Sequence, residues 1–367
     1  MELQVEIATT KNEILSKVTD YQKHSEDFVV KSKEIKMEEG KIVYGGKSYS
    51  LTETARSQLA NWVGMEDRYY HKLVGRKDGL PLLDTNVNYW LERAERAYTL
   101  RTYDDGRPII RAVMSDRYKV IPNSMIVGKI LGHFEEMGDS YHLLKGYISP
   151  DKLNLIYLSD KSLFYVGEDK TDEHKLGVSV SNSEVGMGAF SLGTYVYRLV
   201  CSNGAIASIG GDTDRWIHMG GRKAEKIYAQ DGTYRTEIGV IETIIDERLK
   251  KTVNFDNADK LITNLRRLKS VVVEDGRKKL FLDSLTSYFN LGEAEKEMIE
   301  VELKKKGETY YDYLQAITAV SKKLDGTKSL QIEKVGGILT SDTGYVWGMI
   351  EEKTNIAKLV DDKKKKK

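Results

Sequence analysis

The chain of 367 residues contains a single cysteine. That excludes an internal disulfide and any zinc knuckle built within the chain, which needs several thiolates. Proline is almost as scarce, with four residues at positions 81, 108, 122 and 150. Nothing beyond Pro150 therefore carries the ring that breaks long helices. No run approaches the roughly 18–20 consecutive apolar residues of a membrane span. The first residues, MELQVEIATTKNEILSK, lack the basic segment and apolar core of an export signal. A bias of charge is missing too: 57 Lys and Arg face 56 Asp and Glu, a formal net charge of +1. No global field then draws the chain to nucleic acid, and any such binding must come from local basic patches. These absences predict a soluble cytoplasmic protein with no membrane association.

What is present is a long, charged chain, 40% hydrophobic and 31% charged, sufficient for two or three domains. Residues 28–51 alternate apolar and charged positions and predict two strands joined near Glu39-Gly40. Thr52 is placed to cap a helix whose apolar face carries Ala55, Leu59 and Trp62, with Gly64 as its stop. A short helix is predicted from Glu66 to Val74 and another after Asp84. From Tyr98 the period changes to two, and Asp105-Gly106 marks the turn of a hairpin. Asn123 is expected to cap the next helix. The strands SYHLLKGYIS, KLNLIYLS and KLGVSVS follow. After Thr236 the pattern is helical, clearest at residues 256–270, where Ala258, Leu261, Ile262, Leu265 and Leu268 share a face. The expected fold class is α+β: a mixed or antiparallel twisted sheet with flanking helices, then an all-helical domain. The boundaries are a strand-rich extension over 1–50, a core domain over 51–235, a helical domain over 236–358 and a disordered lysine tail over 359–367.

Four stretches suggest chemistry and fall short of it. Gly188-Ala-Phe-Ser-Leu-Gly193-Thr194 has the spacing of a phosphate-binding loop without its lysine. It also leads into the strand-like TYVYRLV rather than a helix N-terminus. Cys201 would serve as a nucleophile only beside a base, and His218 is the nearest histidine in sequence. At the end of an apolar strand, a cysteine of this kind is ordinarily a small buried hydrophobe. Glu184 with Asp212 and Asp214 would suit Mg²⁺, but solvated turn carboxylates explain them as well. Lys323-Leu-Asp325-Gly326 mimics a nucleotidyl-transfer motif, yet too little chain follows for the remaining motifs, and a glycine stop of a helix is expected there. No cofactor and no metal is expected.

Seven segments taken together carry more weight: LTETARSQLANWVGMEDRYYHKL, TNVNYWL, LRTYDDGRPIIRAVMSDRYKVIPN, VSNSEVGMGAF, YRLVCSNGAI, RWIHMGG and YYDYLQAITAVSKKLDGTKSLQIEKVGGIL. In order and content they resemble the phage- and plasmid-related family known as domain of unknown function 932. The SDRY element and the pairing of Asn-Ser-Glu with Cys-x-Asn-Gly are the most specific parts. The resemblance implies a mobile-element protein in the cytoplasm of a bacterial host, and it brings no catalytic residues with it.

The residues themselves favour nucleic acid. The hairpin supplies Arg101, Arg107, Arg111, Arg117 and Lys119, interleaved with Tyr118, and Arg198 lies on a later strand. Guanidinium groups neutralise phosphates, and aromatic faces stack on bases without sequence preference. Taken with what the family resemblance implies, the expectation is ATP-independent binding of single-stranded DNA, with strand annealing and hence a homo-oligomer. A second reading is an enzyme on a nucleotide or nucleic acid at a ligand loop of Asn182, Glu184, Gly186, Gly188 and His218. A third is a module that binds a host or phage protein through the helical half.

Overall fold

The computed structural model describes residues 6–8, 10–76, 78–138, 141–166, 172–199, 203–207, 214–216 and 258–365 apart from 306, 325 and 343, with isolated positions between 239 and 247. The fold is α+β. Chain order runs β1 (Glu6–Ala8), α1 (Lys11–Lys23), β2 (Ser25–Lys31), β3 (Lys36–Glu38), β4 (Lys41–Tyr44), β5 (Lys47–Leu51), α2 (Glu53–Trp62), α3 (Asp67–Val74) and α4 (Leu80–Arg93). Then come β6 (Ala97–Asp104), β7 (Pro108–Ser115), α5 (Asn123–Glu136), β8 (Tyr141–Ile148), β9 (Leu153–Tyr165), β10 (Glu173–Asn182), β11 (Phe190–Arg198), β12 (Asn203–Ala207) and β13 (Asp214–Trp216). The last part is helical: α6 (Ala258–Ser270), α7 (Lys278–Tyr288), α8 (Glu293–Leu303), α9 (Tyr310–Val320), α10 (Gly326–Ser341) and α11 (Tyr345–Lys365).

Two sheets result. Sheet A is antiparallel, in the order β1-β8-β9-β10-β11-β12, with β13 also on β11. Sheet B is mixed, in the order β2-β6-β7-β5-β4-β3, with β5 parallel to β7. Period-two alternation sends Leu153, Leu155 and Tyr157 of β9 to one face of sheet A, where α1 and α5 cover them. Further along the same face of β10 and β11, Leu176 and Val196 join α6–α11 in a second continuous core. Sheet B buries Leu100, Ile110 and Val113 under α2, α3 and α4.

Local chemistry explains most boundaries. Thr52 caps α2, its hydroxyl accepting the Ala55 N–H at 3.2 Å. The turn at Glu39-Gly40 forms as expected and is held by the Asp84 carboxylate, which accepts both of its N–H groups. The predicted second strand is split in two at Gly45-Gly46, giving β4 and β5. α4 starts five residues earlier than expected, at Leu80, because Pro81 in the first turn lacks only an N–H that has no helical partner there. Asn203 and Gly204, a pair common in tight turns, open β12 opposite Arg198 and Tyr197. Gly326 does not stop a helix; it begins α10. Helix α11 continues to Lys365, into the segment expected to be a disordered tail. The first 50 residues contribute strands to both sheets.

Candidate functional site

The loop between β10 and β11, residues 183–189, lies against β6 and β7 of sheet B, and its glutamate is the centre of the contact. Glu184 is 4% exposed, and Arg101 and Arg111 are each 2% exposed. Arg101 Nη2 lies 3.1 Å and Arg111 Nη1 3.3 Å from Glu184 Oε2. The other oxygen, Oε1, accepts the backbone N–H of Asn123 at 2.8 Å. Arg101 also donates to Asp27 at 2.7 Å, and Arg111 to the Pro150 carbonyl at 2.8 Å. Two buried cations are thus matched by two carboxylates, the arrangement a low-dielectric interior requires.

The strand geometry that permits this is a bulge. Arg101 pairs with Ala112, but the next residue, Thr102, pairs with Ile110. Arg111 is the extra residue, and a bulge of this kind re-aims the side chain it carries. Both guanidinium groups then reach the same carboxylate, although a regular ladder would put Arg111 on the opposite face from Arg101. Asn123 was expected to cap α5 with its own side chain. Instead Pro122 occupies the cap position, and Glu184, 61 residues on, supplies the carboxylate at the helix N-terminus. Burial is the largest influence on Glu184 and opposes its ionisation, but Arg101, Arg111 and the Asn123 amide together hold its pKa below the ordinary value.

The rest of the loop is latched by neighbours. Tyr118 Oη accepts the Gly186 N–H at 3.1 Å and donates to the Ser183 carbonyl at 3.0 Å. Gln58 of α2 donates to the Val185 carbonyl at 2.7 Å and accepts the Val113 N–H at 2.8 Å. Asn182 Nδ2 donates to the Ile121 carbonyl at 2.9 Å and to Asn123 Oδ1 at 2.8 Å. Gly186 sits at φ +78°, and a Cβ there would also approach Gln58 and Tyr118. Asn182, Glu184 and Tyr118 therefore shape the loop, and their bonds join sheet A to sheet B.

Other expected site residues are dispersed. Arg107 is exposed in the β6–β7 turn beside Asp105, at one end of β7. Arg117 and Lys119 are exposed beyond its other end. Arg198 lies in a second buried cluster, where its Nε is 2.5 Å from Asp172 Oδ1. Tyr311 of α9 donates to Asp172 Oδ2 at 2.5 Å, and His174 packs beside them. Burial pushes the His174 imidazole down to about 4, with the Asp172 carboxylate opposing. Gly188 is part of the loop 183–189, with only Ser183 Cβ near the space a side chain would fill. His218, Cys201 and Asp212 lie outside the described residues. Among the described residues no group of three or more His, Cys, Asp or Glu is placed to hold a metal, and no helix is long and apolar enough to cross a membrane.

Sequence reasoning missed the partners of Glu184. A signal was available: Arg111 interrupts the apolar strand PIIRAVM, and an arginine among buried residues needs an acid near it. Gln58 carried no such signal, since a glutamine beside a helix's apolar face is ordinary.

The structure defines an α+β protein whose two sheets are joined through a buried arginine–glutamate–arginine cluster. Residues 111–335, more than half of the chain, match the family described as a domain of unknown function, DUF932, and the chain belongs to that family. The matched range starts at Arg111 and includes Tyr118, Asn123, Asp172, Asn182, Glu184, Arg198 and Tyr311. No curated protein and no solved structure matches the chain.

Proposed function

We propose that this protein binds single-stranded DNA without a nucleotide cofactor and acts in phage or plasmid DNA metabolism, where it promotes strand annealing as a homo-oligomer. The observation that carries the reading is the exposed pair Arg117 and Lys119 on either side of the anchored Tyr118. The β6–β7 ladder ends at Tyr98 and Ser115, and the exposed Arg96 lies just beyond it, two residues before Tyr98 as Arg117 lies two after Ser115. Cations on a rigid support suit the phosphate backbone, which is recognised by charge rather than by sequence. Arg101 and Arg111 take a different part in this reading: they fix the sheet end that presents the exposed cations.

The test is anisotropy of a labelled oligonucleotide across a salt series. Binding that weakens with salt is expected. The double variant R117A/K119A should bind less tightly, and the slope of log affinity against log salt should fall by about 0.7 for each phosphate that is no longer neutralised. Absence of wild-type binding at about 50 mM salt would refute the proposal.

A further inference from the structure

Helix α4 leaves aromatic surface uncovered. Tyr89 is 48% and Trp90 50% exposed, although the same helix buries Leu83, Val87 and Leu91. The two rings meet edge to face, with centroids 5.1 Å apart. The Arg93 guanidinium lies 3.7 Å from the Tyr89 centroid, and its Nη1 donates to the Tyr89 carbonyl at 3.0 Å. This holds Arg93 over the ring. The exposed side of α4 has one aliphatic residue, Leu82, separated from the rings by Thr85 and Asn86.

The position of this surface matters. α4 ends at Arg93, and β6 begins four residues later at Ala97. Arg96, between them, lies 5.8 Å over Trp62, whose indole N–H donates to the Val113 carbonyl near the end of β7. Tyr89, Trp90, Arg93 and Arg96 therefore precede the same end of sheet B that Arg117 and Lys119 follow.

We infer that Tyr89 and Trp90 form a base-stacking platform for single-stranded nucleic acid, an inference that rests on the DNA-binding reading above. Exposed rings next to cations complement unpaired bases next to phosphates, while bases inside a duplex keep their faces covered by one another. Glu92 and Glu95 alternate with Arg93 and Arg96 along this segment. The platform accordingly contributes stacking, and the phosphate contacts come chiefly from Arg117 and Lys119.

The experiment compares W90A, Y89A/W90A and R117A/K119A with the wild type on a labelled single-stranded oligonucleotide and on the matching duplex. Unfolding curves of each variant confirm an intact fold. Loss of stacking should weaken single-strand binding by roughly five- to a hundredfold per base while leaving the salt slope unchanged. Weak duplex binding should change little. W90F should retain most of the affinity. If W90A binds the single strand normally while R117A/K119A does not, the platform is refuted and the DNA-binding reading stands. If W90A instead changes only the sedimentation of the free protein, the surface is a protein interface and the inference is overturned. If the wild type fails to bind, both fall together.

Discussion

Glu184 sits in a part of the chain whose glycines suggest a ligand loop, yet its two oxygens are occupied by Arg101, Arg111 and the Asn123 amide. Removing one member of such a cluster leaves buried charge uncompensated, which costs far more than an exposed pair is worth. Glu184→Gln keeps the shape and should destabilise the fold by about 3–5 kcal/mol at pH 7, read from urea unfolding. The pH dependence follows from the lowered pKa. The stabilisation is present above the ordinary value of 4.5 and is lost as pH falls through the lower folded value. The gap between wild type and E184Q should therefore narrow below pH 4.5, and a gap that stays constant into acid would argue against the ion cluster.

At the scale of elements, sheet A depends on close strand approach. The β9–β10 ladder shifts register between Lys175 and Gly177, and a Cβ on Gly177 would lie 2.0 Å from the Tyr157 carbonyl oxygen. The nearest obstacle is the backbone of β9, which cannot swing aside as the end of a side chain would. Gly177→Ala should cost roughly 1–3 kcal/mol or more in thermal or urea unfolding. Gly128, on the exposed side of α5 with open space around its Cβ position, should respond in the opposite sense. Gly128→Ala gains up to about 1 kcal/mol, the ordinary helix preference. Equal effects at the two positions would show that chain entropy, not strand packing, sets both.

The boundaries of these elements were legible where local chemistry sets them, as at the Thr52 cap and the Asp105-Gly106 turn. They were not legible where a distant group intervenes. Asn123 is typical of helix caps, but the carboxylate at this helix start comes from 61 residues away. Gly326 reads as a helix stop in isolation, and only the packing of α10 against sheet A and α9 makes it a start.

For the whole molecule, the seam between sheet A and the helical half is held by Asp172, which accepts from Arg198 of β11 and Tyr311 of α9. His174 is buried in the same seam, stacked on Phe164 with ring centroids 5.2 Å apart. Burial is the largest influence and disfavours its protonation, as do Arg198 and Lys269, while Asp172 favours it. The imidazole should stay neutral at pH 6, and its ring resonances should titrate only near pH 4. Because the folded pKa lies below the ordinary 6.5, the stabilisation is present above pH 6.5 and is lost as pH falls from there toward about 4. A ring that titrates near 6.5 in the folded protein would mean that the seam admits water.

The sequence by itself determined the α+β class, the helical C-terminal region and the boundaries set by local caps and turns, because periodicity, capping and turn preferences act within a few residues. It also determined that Arg111 interrupts an apolar strand. Only the tertiary structure decided which charges meet. The bulge at Arg111 puts two guanidinium groups beside Glu184, and the arrangement of the sheets leaves Arg117 and Lys119 outside. A pairing of charges 73 and 83 residues apart leaves no local pattern, since the free energy that selects it comes from removing those groups from water together.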